Sequence, residues 1–172
     1  MSGPKSKNLN NAYELMRKGS DTFYSGEYKE AIRYFDRAIE LNPDSSLAWQ
    51  MKGYAFYELR KFDKALECLN KAIELDPKNA DAWYKKGWAL AGLGKEKEAL
   101  ECFRKATEIN PEHADAWGGI GSILDRMGKN RETMKYYDKY MEIRKKKSQE
   151  ENELFDRLFP EHGNHDNDEG TF

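Results

Sequence analysis

The chain has little from which to build a reactive centre, a cross-link or a membrane span. Its 172 residues include two cysteines, three histidines and five prolines, and 29 lysines and arginines nearly balance 31 aspartates and glutamates. Two cysteines cannot frame a disulfide-stapled domain. Neither Cys68 nor Cys102 has a histidine at a spacing that would activate a thiolate. No glycine run forms a phosphate cradle. With charge near neutral and interspersed in sign, no basic patch dominates, which argues against nucleic acid as a partner. No apolar stretch is long enough to cross a bilayer, and the first eight residues lack the apolar core of a secretory leader. The expectation is a cytoplasmic protein, not an enzyme, with no cofactor, no metal, no nucleic-acid partner and no membrane partner.

What the chain does have is a period. Trp49, Trp83 and Trp117 stand 34 residues apart, and Gly53, Gly87 and Gly121 follow at the same interval. Ala65 and Ala99, Ala72 and Ala106, and Pro43, Pro77 and Pro111 keep the same step. Within one period the apolar residues recur at helical spacing. Leu47, Ala48, Met51, Tyr54, Ala55 and Leu59 form one stripe, and Ala65, Leu66, Leu69, Ala72 and Ile73 form a second. Arg60, Lys61 and Phe62 read as the turn between them, with Asp63 as the N-cap of the second helix. The prolines stop each second helix, because the residue before proline is pushed out of helical geometry. Gly26, Gly94 and Gly128 fall where a first helix ends in left-handed backbone. Gly53, Gly87, Ala65 and Ala99 are small where two antiparallel helices close up. Cys68 and Cys102 occupy equivalent sites in neighbouring units. Packed helices lie ~8–10 Å apart, too far for a comfortable disulfide, so both read as small buried residues.

The pattern Ala82-Trp83-x-x-x-Gly87, then Gly94, Ala99, Phe103, Ala106 and Pro111, resembles the tetratricopeptide repeat family. The resemblance covers residues 12–145, as four units at 12–45, 46–79, 80–113 and 114–147. It implies an all-α, right-handed superhelical solenoid of helix-turn-helix repeats that works as a protein–protein interaction module or adaptor. Residues 1–11 read as an N-terminal extension. The fourth unit departs from the pattern. Thr133 and Tyr140 replace small residues, and Lys145 stands where proline is due, so the helix near residue 132 runs on past Arg144. Ser148-Gln149-Glu150-Glu151 then fits a capping box. Leu154, Phe155, Leu158 and Phe159 follow before Pro160, and residues 148–160 read as a capping helix folded onto Tyr136, Tyr137 and Tyr140. The same four apolar residues are the candidates for self-association into a homodimer, the alternative function. Residues 161–172 read as an acidic, disordered tail. Its His162-x-x-His165 is polar filler rather than a metal site.

The resemblance also implies a concave groove lined by the first helix of each unit. The groove positions carry Tyr13, Phe23, Tyr24, Tyr54, Tyr57, Tyr84, Trp88 and Arg126, with Lys85 beside them. Exposed aromatics in a concavity favour a protein or peptide ligand. The family's carboxylate clamp for acidic chaperone tails would fall on Met16, Ser20, Met51, Asp81 and Lys85, or one unit along on Gln50, Tyr54, Lys85, Asp115 and Gly119. Only Lys85 suits an anion, and an aspartate there repels one. The three tryptophans repeat with the period and read as packing. The ladder Lys18, Lys52, Lys86 reads as stems laid between helices, each paired with a glutamate, and His113 as part of a surface turn.

Overall fold

The computed structural model describes residues 4–158. They form eight helices: α1 (Pro4–Tyr24), α2 (Tyr28–Leu41), α3 (Ser46–Glu58), α4 (Phe62–Leu75), α5 (Ala80–Gly92), α6 (Glu96–Ile109), α7 (Ala114–Arg126) and α8 (Asn130–Leu158). There is no strand among the described residues. Consecutive helices pair as α1·α2, α3·α4, α5·α6 and α7·α8, and each pair packs on the next through α2·α3, α4·α5 and α6·α7. The array is a solenoid whose core runs along its length.

Each pair is sealed by one glycine and one large residue. A methyl group at Gly19 would lie 2.6 Å from the Phe35 ring, at Gly53 2.8 Å from Leu69, at Gly87 2.7 Å from Phe103 and at Gly121 3.0 Å from Tyr137. Phe35, Leu69 and Phe103 are fully buried. The period therefore fixes both halves of the contact, the gap and the group that fills it. Gly26, Gly94 and Gly128 adopt φ of 82°, 74° and 72°, and Arg60 takes the equivalent place with φ 57°. That left-handed geometry costs a non-glycine residue about 1–2 kcal/mol. The Arg60 guanidinium lies 5.3 Å from the Phe62 ring centre and offsets part of this. Asp63 is not the cap of α4. The helix starts at Phe62 after Lys61, which leaves Asp63 in the first turn.

The tryptophans tie each first helix to the loop before it. The indole N–H groups of Trp49, Trp83 and Trp117 donate to the carbonyls of Pro43, Pro77 and Pro111 at 2.9, 3.1 and 2.8 Å. Of the lysine ladder, Lys52 pairs at 2.6 Å with Asp36 of the preceding unit rather than with a glutamate, and its ammonium lies 5.1 Å from the Trp49 ring centre. Lys86 lies at the same 5.1 Å from Trp83. Cys68 and Cys102 are free and buried. Burial pushes both thiols up to about 11.

Both ends of the array differ from the sequence reading. Residues 4–11 of the expected extension are not separate from the first unit, because α1 already begins at Pro4. At the other end no break separates a capping helix from the fourth unit. Helix α8 is continuous for 29 residues, and Ser148 caps nothing. The physical reason lies in residues 144–153, which contain neither glycine nor proline and are mostly Lys, Arg, Glu and Gln, all good helix formers. Lys146 also pairs with Glu150 at 3.9 Å across the expected break. A straight helix cannot fold back on itself. Leu154, Phe155 and Leu158 therefore stay exposed instead of covering Tyr136, Tyr137 and Tyr140. Phe159, Pro160, the tail 161–172 and its histidines lie outside the described residues.

Candidate functional site

The first helices α1, α3, α5 and α7 contact one another along one side of the array, and three groups of side chains collect along them. The first is a cleft at the N-terminal end. Leu9, Tyr13, Met16 and Ser20 from α1 meet Ala38 and Asn42 at the end of α2, then Ser45 and Leu47, around about 470 Å³. Tyr13 is 73% exposed, Leu47 55% and Leu9 53%, so three large apolar groups face solvent around one concavity. Leu9 precedes the first repeat and escapes a reading tied to repeat positions. Its signal was the spacing Leu9, Tyr13, Met16, which continues one helical face. Tyr24 is exposed as well, while Phe23 turns inward onto Tyr28, edge-on at 5.3 Å.

The second group lies between α3 and α5. The Lys85 ammonium sits 4.9 Å from the Tyr54 ring centre and 4.7 Å from that of Tyr57, with Glu58 at 3.7 Å. Burial lowers the Lys85 pKa and Glu58 opposes the shift. The aromatic faces and the carboxylate together take the place of the water that Lys85 has lost. The Tyr54 hydroxyl accepts from Gln50 Nε2 at 3.0 Å. Gln50 Oε1 accepts from Asn79 Nδ2 at 2.5 Å, and Asn79 Oδ1 caps α5 by accepting from the Ala82 N–H at 2.9 Å. This chain ties a groove tyrosine to the start of the next unit. Burial raises the pKa of Tyr54, Tyr57 and Tyr84, so all three phenols stay protonated at neutral pH.

The third group surrounds His113. It is not part of an open turn but the N-cap of α7, in the place that Ser45 and Asn79 hold for α3 and α5. Its Nδ1 accepts from the Ala116 N–H at 3.3 Å, which puts the proton of the neutral ring on Nε2. Nε2 lies 3.0 Å from Asp81 Oδ1, close but too poorly aligned for a good hydrogen bond. The His113 contact, assisted by Lys85, holds the Asp81 carboxyl below its usual range against the opposing effect of burial. Tyr84 stacks obliquely on His113 at 4.9 Å. Tyr84 and Trp88 both reach the buried Phe103, at 5.8 and 5.1 Å. These two rings therefore belong to the seam between α5 and α6 as much as to the concave face. Arg126 lies apart from all three groups. It donates to Glu96 at 2.8 Å and to the Ala91 carbonyl at 3.3 Å, bracing α7 against the preceding unit.

Among the described residues, no group of three or more His, Cys, Asp or Glu side chains is placed to hold a metal ion, and no helix is long and apolar enough to cross a membrane. A stack of two-helix units whose first helices line up along one side defines a helical-repeat protein–protein interaction module. Sequence profiles described as tetratricopeptide repeat match residues 12–45, 34–67, 80–113 and 114–147, and a profile described as TPR repeat matches 53–94. The chain belongs to the tetratricopeptide repeat family. No curated protein matches its sequence. Solved structures share the fold. A crystal structure of MamA is 28% identical, with a TM-score of 0.74, covering 81% of this chain and 82% of that one. The Arabidopsis OM64 TPR domain is 26% identical, with a TM-score of 0.68, covering 69% and 98%. The first TPR of Spaghetti (RPAP3), bound to the HSP90 peptide SRMEEVD, is 25% identical, with a TM-score of 0.67, covering 69% and 94%.

Proposed function

We propose that the concave face is a peptide-binding groove for an apolar segment of a protein partner, and that the chain is a non-catalytic, cytoplasmic adaptor. The observation that carries this reading is the N-terminal cleft, where Leu9, Tyr13 and Leu47 are exposed around one concavity. The groove continues past Tyr24 and Phe23 to Tyr54, Tyr57 and Lys85, and ends at Tyr84 and Trp88. Arg126, braced by Glu96, marks its far edge. Rigid aromatic rings provide contact area at low conformational cost. An acidic chaperone tail such as the one held by the Spaghetti domain is a poor match. The equivalent positions are Met16, Ser20, Met51, Asp81 and Lys85, of which only Lys85 suits an anion, and the ionised Asp81 repels a terminal carboxylate.

The test is a peptide-display selection on the folded chain, followed by titration of the selected peptides and of SRMEEVD. Selected peptides should be rich in apolar residues. They should bind a Tyr13→Ala, Leu47→Ala chain about tenfold or more weakly, since a lost anchor costs ~1–2 kcal/mol or more. Both side chains are exposed, so the double variant keeps its fold. Tight binding of SRMEEVD, or equal binding by the double variant, would overturn the proposal.

A further inference from the structure

The second half of α8 is exposed, although Arg144 and Lys147 border a cleft that Asp81, Glu112, His113 and Asp115 of the same chain also line. Every residue from Arg144 to Leu158 is exposed, and α8 packs on α7 alone. Among the described residues the last buried side chain is Ile143, so 15 of them project beyond it, a length of about 22 Å. Residues 144–147 are Arg-Lys-Lys-Lys, and Glu150, Glu151, Glu153 and Asp156 follow, with Arg157 basic beyond them. Lys146 has acidic neighbours in its own chain, Glu112 at 3.7 Å and Glu150 at 3.9 Å. Among the described residues no ion pair engages Arg144, Lys145, Lys147, Glu151, Glu153 or Asp156. Leu154 and Leu158 stand exposed among these charges.

We infer that this projecting helix pairs antiparallel with the same helix of a second copy, so that residues 144–147 of each lie along 150–153 of the other. Four basic and four acidic residues sit on either side of Ser148 and Gln149. Reversing the helix about that point therefore brings opposite charges together twice. A parallel pairing would set lysine against lysine and glutamate against glutamate. The antiparallel arrangement is isologous and closes at two copies. The overlap is short, at the low end of specific interfaces, so the dimer forms at high protein concentration and weakens with salt. The concave groove takes no part in it, so this pairing and the groove reading stand or fall separately.

Sedimentation of the full chain over a wide concentration range tests it. The native chain should dimerise, and raised salt should weaken the dimer. A chain with Lys145→Glu, Lys146→Glu and Lys147→Glu should associate about tenfold or more weakly by itself, because like charges then face each other. A second chain with Glu150→Lys, Glu151→Lys and Glu153→Lys should do the same. Mixed, the two variants should form a heterodimer at least as tight as the native dimer. Helical content by circular dichroism checks that both keep their fold. A native chain that stays monomeric up to its solubility limit overturns the inference. Homodimers of either variant as strong as the native one would also overturn it, and so would a mixture that fails to pair.

Discussion

Residues 130–143 and residues 144–158 belong to one helix, yet they are helical for different reasons. In the first half Thr133 and Ile143 are buried against α7. Tyr136 stacks on Trp117 with ring centres 6.1 Å apart, and Tyr137 fills the gap left by Gly121. Tertiary packing fixes that half. In the second half nothing is buried, and the helix persists on propensity and local ion pairs such as Lys146–Glu150. An isolated helix of that length is marginal in water because nucleation is costly. Here the packed half supplies the nucleus, and each further residue adds a hydrogen bond to an existing helix. The difference teaches that regular structure and burial are separate properties, and only burial holds the array together.

The largest effect should come where packing is densest. Phe103 is fully buried, and its ring touches the places where side chains on Gly87 and Gly119 would be. Phe103→Ala should cost about 3–5 kcal/mol and melt the array well below the native chain. A loss no greater than that of an exposed substitution would break the contrast between sealed seams and free helix. Gly87→Leu should come next. It drives atoms into the same ring and costs about 1–3 kcal/mol or more. Ser122→Leu, on the partly open concave face, should cost less. Equal melting shifts for the two would show that the face assignment is wrong.

The smallest effect should be truncation after Lys147. Nothing beyond that residue is buried among the described residues, so a dilute sample should melt within ~0.5 kcal/mol of the native chain. A clear drop in stability would mean that the end of α8 folds onto the array after all. This expectation reverses the one drawn from sequence, in which Leu154, Phe155, Leu158 and Phe159 cap the fourth unit. The capping-box pattern at Ser148 was a valid local signal. It lost to a stronger one, an unbroken run of helix-forming residues through which the helix had already nucleated.

The repeat positions assign Tyr13, Tyr24, Tyr54 and Tyr57 to the proposed groove, and the structure gathers Tyr54 and Tyr57 around Lys85. The roles of Tyr84, Trp88 and His113 were not legible. Tyr84 and Trp88 pack on Phe103, and only the tilt of one helix against the next sets how much of each ring that contact covers. His113 takes over a capping role from Ser45 and Asn79, which propensity does not anticipate.

By itself the sequence determined the unit. A 34-residue period in Trp, Gly, Ala and Pro specifies two helices, the gap between them, the residue that fills it and the turn that ends them. These depend on contacts within one period, and a period repeats them. Tertiary structure alone decided what lies between units and beyond them. The link from Tyr54 through Gln50 to Asn79, the approach of His113 to Asp81, the bracing of Arg126 and the projection of α8 all depend on how far each unit rotates against the next and on where the stack stops. Those are properties of the assembled array, and no single repeat contains them.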